Sequence, residues 1–402
     1  MPRYVDWPLP LNPPNPYSVY LHSLAPVRPR DTAVYYTKYI LGIIGELDVA
    51  GGTSARVREW TFPPQLYTST MNGSTIGLVN LERGKDPKAL WCLLEEYHGA
   101  LIQFLPGSSG LFTRFTTKVP DTPLIYPKDL KFDGRGNLWF IGSTVTSHVS
   151  TISRFEPATK TATSWEVPAT AMRNLVSIHP DSGGRKVWVS SVDANLPSTT
   201  QWIGCLDVAS GVLTCFSPDP YLDPPRSIDI VLVENRKPYS VWFTAAASLL
   251  LAPSPAVPAI YRLDLASNVF HRHVTDPRTS WPRFLAVDPG GVAWTTDIGR
   301  NSIVSCNPAR DCGTVPFKSS TVRIRPSRAR LLGKEFPVQS IVSTTVPQPD
   351  RVAVKHRPCA DEYRAAAMQT PDRLQLQLPG TAPDPRLFFV CFGANKIGML
   401  EP

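Results

Sequence analysis

The sequence predicts an all-β chain built from repeated four-strand units, and three observations carry the prediction. The first is the stretch 127–168, which reads as four short strands in succession. Leu130–Phe132, Leu138–Ile141, Val149–Phe155 and Thr163–Val167 are rich in β-branched and aromatic residues, with Asp133-Gly134, Gly136-Asn137 and Pro157–Thr161 between them as turn chemistry. The second is that divergent copies of this unit recur at a period of about fifty residues. The third is an imbalance at the ends. The last unit lacks a fourth strand, and the N-terminal Tyr4–Pro10 (YVDWPLP) is a spare strand resembling SWEVP. Together these describe a seven-bladed β-propeller, its ring closed by the N-terminal strand. A sandwich would not explain the recurring Trp-containing second strand, whereas radial repetition leaves only short, protected strand edges.

Taken in order, the blades span 11–63, 64–120, 121–168, 169–222, 223–276, 277–337, and 338–402 completed by 3–10, in a single domain. The first holds PYSVYL, VYYT, IGELD and VREWTFP. The second holds LYTSTM, LWCLLEEY, LIQFLPGSSG and LFTRFTTKVP. The fourth holds MRNLVSIHPD, KVWVSS, WIGCLDVASG and VLTCFSP, and the fifth PRSIDIVLVEN, SVWFTAA, AIYRLDLASN and VFHRHVTD. The sixth holds PRFLAVDPGG, VAWTTD and SIVSCNP, then a ragged return to Phe336-Pro337. The last opens on QSIVST, carries an insertion Pro347–Pro385 with a short helix expected at Asp361–Gln369, and ends in LFFVCFG and NKIGMLEP. That insertion is the place for a partner or homodimer contact, or a cover for the seventh blade.

Composition narrows the function classes. The 42 prolines and 25 glycines sit mostly at strand ends. No apolar run approaches the roughly 20 residues that span a bilayer, so no membrane association is expected. MPRYVDWPLP lacks the charged and apolar regions of a secretory signal, and a cytoplasmic location is expected. Cys205 and Cys215 flank one turn and Cys306 and Cys312 another, but seven cysteines is an odd count and free thiols are favoured. No Cys or His spacing suits zinc. The net charge of +8 raises nucleic acid, with Arg323, Arg325, Arg328, Arg330 and Lys334 forming the densest basic run. No aromatic residues interleave there for base stacking, so a solvated outer loop is expected and no nucleic-acid partner.

The pattern P-x-x-[IL]…DG-x-[LV]-WF…I-x-R-[FL]-x-P…W-x-[VL]-P resembles the streptogramin B (virginiamycin B) lyase-like propellers. Asp133-Gly134, Leu138-Trp139-Phe140, Arg154-Phe155-Glu156-Pro157 and Asn395-Lys396-Ile397-Gly398 carry it. The resemblance covers most of the chain, with the third and fifth blades close to the pattern. It implies histidines just after each blade-opening proline, a Glu closing the W-F-T-E strand, and bound magnesium. None of the openings carries that His. Among the strand ends only Asp297 sits where the Glu would, with Glu95 one residue late and His98 nearby. Lyase machinery is therefore mostly missing, and neither a metal nor another cofactor is expected.

By the same resemblance the residue after each opening points to the axial mouth, giving Tyr17, Tyr67, Lys128, Arg173, Arg226, Arg283 and Gln339. Arginines offer paired donors to carboxylates, enolates or vicinal oxygens. The apolar loop Ala245–Ala259, with Leu249, Leu250 and Leu251, borders the same face as a lid. A greasy, oxygenated small molecule is the expected ligand, held by Trp281, Phe284 and the lid leucines. No nucleophile–base pair or phosphate loop is visible, so chemistry would rest on positioning and hydrogen bonding. The profile is similar to that of the propeller hetero-Diels–Alderases of fungal tropolone–sesquiterpenoid pathways. It implies carbonyl polarisation by Arg226 and Arg283, and help from Asp297, Glu95 or His98 in losing water to make the diene. The alternatives are lyase-type C–O elimination and a non-catalytic binding propeller.

Overall fold

The computed structural model describes residues 3–10, 21–25, 31–38, 42–50, 54–63, 77–86, 88–95, 99–107, 110–116, 126–143, 149–191, 202–218, 226–234, 239–246, 259–274, 282–297, 300–308, 314–315, 317–338, 340–347, 352–353, 355–357, 362–364, 371–377, 386–391 and 395–401. Every regular element among them is a strand, and the strands form seven five-stranded sheets. The fold is a seven-bladed β-propeller. The first four blades are up-and-down meanders from Leu21–Leu24 to Ser54–Thr61, Gly77–Arg83 to Leu111–Thr116, Tyr126–Phe132 to Thr161–Val167, and Leu175–Pro180 to Val212–Pro218. The fifth runs from Arg226–Val233 to Val269–Val274. The sixth begins with Pro282–Val287, Ala293–Asp297 and Ser302–Cys306. In the seventh, Pro371–Gln377, Arg386–Cys391 and Lys396–Glu401 are completed by the N-terminal Arg3–Pro8, in register from Arg3 opposite Glu401 to Pro8 opposite Lys396.

Local chemistry explains why these residues turn where they do. Asp133 closes the first turn of the third blade: its Oδ1 accepts the Arg135 and Asn137 amides, both at 2.9 Å. Its Oδ2 accepts the Trp139 indole N–H at 3.0 Å. Asp288 does the same in the sixth blade, taking the Val292 amide at 2.9 Å and the Trp294 indole at 3.1 Å. The Asp-Gly…Trp signature is thus a turn that bonds its own tryptophan, sparing a buried N–H from going unpaired. On the third-to-fourth-strand turns, Asp207 caps Ser210 and Asp264 caps Ala266 and Ser267. Gly211 then takes the left-handed φ of 67° that closes such a turn.

The chain forms two compact units, Met1–Thr116 with Thr296–Ser305 and Leu332–Pro402, and Thr117–Thr295 with Cys306–Leu331. Within each, the core lies between neighbouring sheets. In the first unit one cluster joins the seventh and first blades around Trp7, Tyr36, Phe388 and Ile397. Another joins the first and second around Trp60, Phe62, Phe104 and Phe112. In the second unit Trp139, Trp165, Ile178 and Leu213 fill the gap between the third and fourth blades, and Trp202, Phe243 and Tyr261 that between the fourth and fifth.

The fifth strand of each sheet comes from one segment that the sequence pattern misassigns. After Ser302–Cys306 the chain leaves the sixth blade as a strap and adds an outer strand to each of the other sheets in reverse order. Thr314–Val315 joins the fifth blade, Phe317–Arg323 the fourth and Pro326–Arg330 the third. Gly333–Pro337 joins the second, Ser340–Pro347 the first and Val352–Ala353 the seventh. Only then does the Lys355–Arg357 and Glu362–Arg364 hairpin return to give the sixth blade its fourth and fifth strands. The sixth blade is therefore not the contiguous span 277–337. QSIVST lies on the rim of the first blade rather than opening the seventh, and Pro347–Pro385 is no insertion, since Pro371–Gln377 inside it is an inner strand. Glu362–Arg364 is strand where a helix was expected. The basic run is likewise strand: Arg323, Arg328, Arg330 and Lys334 lie in outer strands and Arg325 between two of them, all exposed. The charge blunts sheet edges that would otherwise template pairing with another chain. Buried Ile324 and Leu331 pin the strap, their amides donating to Gly211 and Lys160 carbonyls at 2.8 Å.

The thiols are free at Cys92, Cys205 and Cys215. Cys205 faces Thr214 and Cys215 faces Gly204 across their hairpin, so the two side chains leave opposite faces and cannot bridge. Burial pushes both thiols up to about 12. Cys312 lies outside the described residues.

Candidate active site

Inner strands carry a bulge in most blades, at Leu21/Ser23, Val79/Glu82, Pro127/Asp129, Leu175/Ser177, Ser227/Ile230 and Asp372/Leu374. A bulge re-aims the side chain it carries. In the second unit, three such positions meet. Asp129 Oδ1 accepts the Leu130 amide at 2.9 Å, and its Oδ2 accepts the Ile178 amide of the next blade at 3.0 Å. Asp229 repeats the device one blade further on, with Oδ1 taking the Ile230 amide at 2.9 Å and Oδ2 the Leu285 amide at 2.8 Å. Between them, Ser177 Oγ lies 2.9 Å from Asp129 Oδ2 and 2.8 Å from Asp229 Oδ1.

Proton counting decides what this arrangement is. A serine hydroxyl has one proton to give, so it cannot donate to two carboxylates at once. The oxygens that face Ser177 each also accept a backbone amide, from Ile178 at Asp129 and from Ile230 at Asp229, so hydrogen bonding treats the two carboxyls alike and burial points to Asp229 as the acid. Burial, then the Asp129 charge, push its carboxyl up to about 6, against the opposing pull of the Leu285 amide, Lys131 and Ser177. Such a carboxyl holds its proton up to about pH 6, on a half-buried inner-strand residue. Thr244 continues the network, with Oγ1 3.2 Å from the Asp229 amide and donating to the Arg283 carbonyl at 2.8 Å.

The expected mouth residues fare unevenly. Lys128 is half-buried beside Asp129, and Arg283 is half-buried with its guanidinium 5.1 Å over the ring of buried Phe284. Arg173 turns into its own loop, its Nε donating to the Ala169 carbonyl at 3.0 Å. Asp297 is fully buried and accepts the Arg300 amide at 3.2 Å. Arg226 and Glu95 lie in described strands, but their side chains lie outside the described residues, as do Tyr17, Tyr67, His98, Gln339, Trp281, Leu249, Leu250 and Leu251 entirely. For two of these the strand assignment needs correction. The second blade's inner strand is Gly77–Arg83 rather than the LYTSTM that holds Tyr67, and Gln339 directly precedes the outer strand Ser340–Pro347. Asp129 stands two residues after its opening Pro127 and Asp229 four after Pro225, and the bulges absorb the difference.

A second polar cluster lies in the first unit. Lys38 Nζ is 2.6 Å from Glu59 Oε1, with both side chains almost completely buried, and also donates to the Pro10 carbonyl at 2.8 Å. Tyr36 donates to the same Oε1 at 2.6 Å, and Oε2 has no hydrogen-bond partner among the described residues. Burial lowers the Lys38 ammonium and raises the Tyr36 phenol. Lys38 occupies the first blade's equivalent of Asp297, three residues past the aromatic of the second strand. By sequence position the other blades carry Leu94, Gly142, Ser191, Ala245 and Cys391 there. One carboxylate and one ammonium do not make a magnesium site, which wants several oxygen ligands. Among the described residues, no cluster of three or more His, Cys, Asp or Glu side chains has metal-binding geometry. The described residues do not fit a divalent metal there.

No protein-family model and no curated protein sequence matches the chain. Solved structures do. Virginiamycin B lyase from Staphylococcus aureus superposes with a TM-score of 0.61 at 14% identity, covering 100% of both chains. Its catalytically inactive variant with quinupristin gives 0.59 at 14% identity, covering 99% of each. The likeness is one of fold. The seven-bladed propeller expected from the sequence is the fold observed, with the sixth and seventh blades assembled from other segments than expected. No helix among the described residues is long and apolar enough to cross a membrane.

Proposed function

We propose that the protein is a small-molecule enzyme that uses Asp229 as a general acid to expel an oxygen leaving group from an apolar, oxygenated substrate. The observation that carries this is the Asp129–Ser177–Asp229 chain, with Ser177 Oγ 2.9 Å from one carboxyl and 2.8 Å from the other. A carboxyl raised to about 6 is the kind of group that acid-assisted C–O cleavage uses. The reaction it suits best is loss of water from a hydroxymethyl-bearing tropolone or phenol. Asp229 protonates the leaving hydroxyl, the C–O bond breaks, and the ring hydroxyl returns its proton to the carboxyl pair. The products are water and a quinone methide-type diene, and the site ends with the proton it began with. A terpene alkene then traps the diene in a [4+2] cycloaddition, which needs no further proton. Arg283 would polarise the ring oxygens, and its neighbour Phe284 would take the hydrocarbon. Likeness of fold to a lyase favours a second reading, in which the same acid assists C–O elimination without cycloaddition.

The test is turnover of a hydroxymethyl tropolone with a cyclic sesquiterpene alkene, followed by mass spectrometry, with thermal shift reporting binding. Asp229→Asn is expected to slow diene formation about 10²–10⁴-fold while preserving the ligand-induced shift. The wild-type rate should fall as pH rises through about 6, as Asp229 loses its proton. Full activity in Asp229→Asn would remove the acid from the mechanism. Cleavage without cycloadduct would move the assignment to elimination.

A further inference from the structure

We infer that Ser340–Pro347 is a self-association edge through which two copies of this chain join their first blades into one continuous sheet. The strand pairs along its whole length with Ser54–Thr61, from Ser340 opposite Thr61 to Pro347 opposite Ser54. It is the last strand of its sheet, and among the described residues nothing pairs with its outer edge. A free edge presents unpaired N–H and C=O groups, and proteins normally guard it with charge. The strap does so on three neighbouring rims. Phe317–Arg323 carries Lys318 and Arg323, Pro326–Arg330 carries Arg328 and Arg330, and Gly333–Pro337 carries Lys334 and Glu335. Ser340–Pro347 (SIVSTTVP) is longer than any of these and carries no charge. It also leaves Ile341 42% and Val342 48% exposed, two of the few large apolar side chains at the described surface.

The sequence of the strand selects a second copy as its occupant. An antiparallel pair about a two-fold axis at Ser343 sets Ile341 opposite Thr345 and Val342 opposite Thr344, with Ser343 facing its own mate. All are neutral, and β-branched pairs of this kind favour cross-strand packing. The same operation on Pro326–Arg330 would put Arg328 against itself, a like-charge pair. An acidic peptide would be drawn to the arginine-bearing rims instead, where charge complements it. Pro347 lacks an N–H and stops the pairing, and the two-fold closes the assembly at a dimer. An edge of eight residues spans about 27 Å. Such a contact falls in the small class of interfaces, so the dimer should dissociate at about micromolar concentration.

Sedimentation equilibrium on the full chain from about 1 to 200 µM, where weak dimers of this class dissociate, should show a reversible monomer–dimer equilibrium. Val342→Lys should give a monomer at every concentration with an unchanged circular dichroism spectrum. Should that variant unfold, Ser343→Cys carries the test by itself. Facing Cα atoms in an antiparallel pair lie ~4.5–5.5 Å apart, within disulfide reach. Mild oxidation should therefore cross-link Ser343→Cys at least tenfold faster than Ser327→Cys on the arginine-bearing rim. A wild-type chain that stays monomeric, a dimer that survives in folded Val342→Lys, or equal cross-linking at the two cysteines would each overturn the proposal.

Discussion

Asp229→Asn tests the shared proton through stability alone, with no substrate required. The ordinary aspartate value of 3.8 is raised to about 6 in the fold, a displacement of about two pH units. At about 1.4 kcal/mol per unit, the folded state holds this proton more tightly than the unfolded chain by about 3 kcal/mol. The sign follows from proton counts. Between pH 3.8 and about 6 the folded protein carries more proton at this site than the unfolded one, so stability falls as pH rises through that window. Below it the site imposes no penalty, and above it the penalty is complete. Asparagine does not titrate; with its Oδ1 on the Leu285 amide, its NH2 faces Ser177 and also the Ile230 N–H, a pH-independent cost that cancels when the difference is compared between two pH values. The unfolding free energy of Asp229→Asn minus that of wild type should therefore climb by about 2–3 kcal/mol between pH 4 and pH 7. Urea denaturation at half-unit pH steps would measure it. A flat difference would mean that Asp229 titrates as an ordinary carboxyl, and the one-proton argument at Ser177 would fail with it.

Two further outcomes test the first unit. Lys38→Met leaves the Glu59 carboxylate buried with Tyr36 as its remaining donor, and should destabilise by about 3–5 kcal/mol in chemical denaturation. Adding Glu59→Gln should recover much of that loss, and no recovery would show that lost packing, not the stranded charge, sets the cost. Gly45→Ala would drive a methyl into the Tyr36 ring, which is fully buried and held by Glu59, so about 3 kcal/mol should be lost. Gly107→Ala meets nothing within 4 Å and should be neutral to about 0.5 kcal/mol. Equal melting temperatures for the two variants would refute the packing at Gly45.

What the sequence determined by itself was everything encoded locally. A blade's alternation lies within a few residues, as do the Asp turn and tryptophan of the third and sixth blades, and those contacts form the same way wherever the blade sits. The spare strand at Arg3–Pro8 was legible for a different reason: a ring with one strand missing at one end must find it at the other. The strap was not legible. Its strands have one neighbour each and one solvent-facing side, so their apolar pattern is thin, and their partners lie more than a hundred residues away at Thr161–Val167 and Val212–Pro218. Nothing in S-T-V-R-I-R says which sheet it joins. Site residues divide in the same way. Asp297 could be placed because it follows its tryptophan at fixed spacing, and Lys38 could have been, had Tyr35 been taken as the stand-in for that tryptophan. Asp129, Ser177 and Asp229 could not, because a bulge shifts each along its inner strand and only the packing of three consecutive blades brings them within 3 Å. A raised Asp229 carboxyl is a property of that meeting and of the burial around it, and tertiary structure alone supplies both.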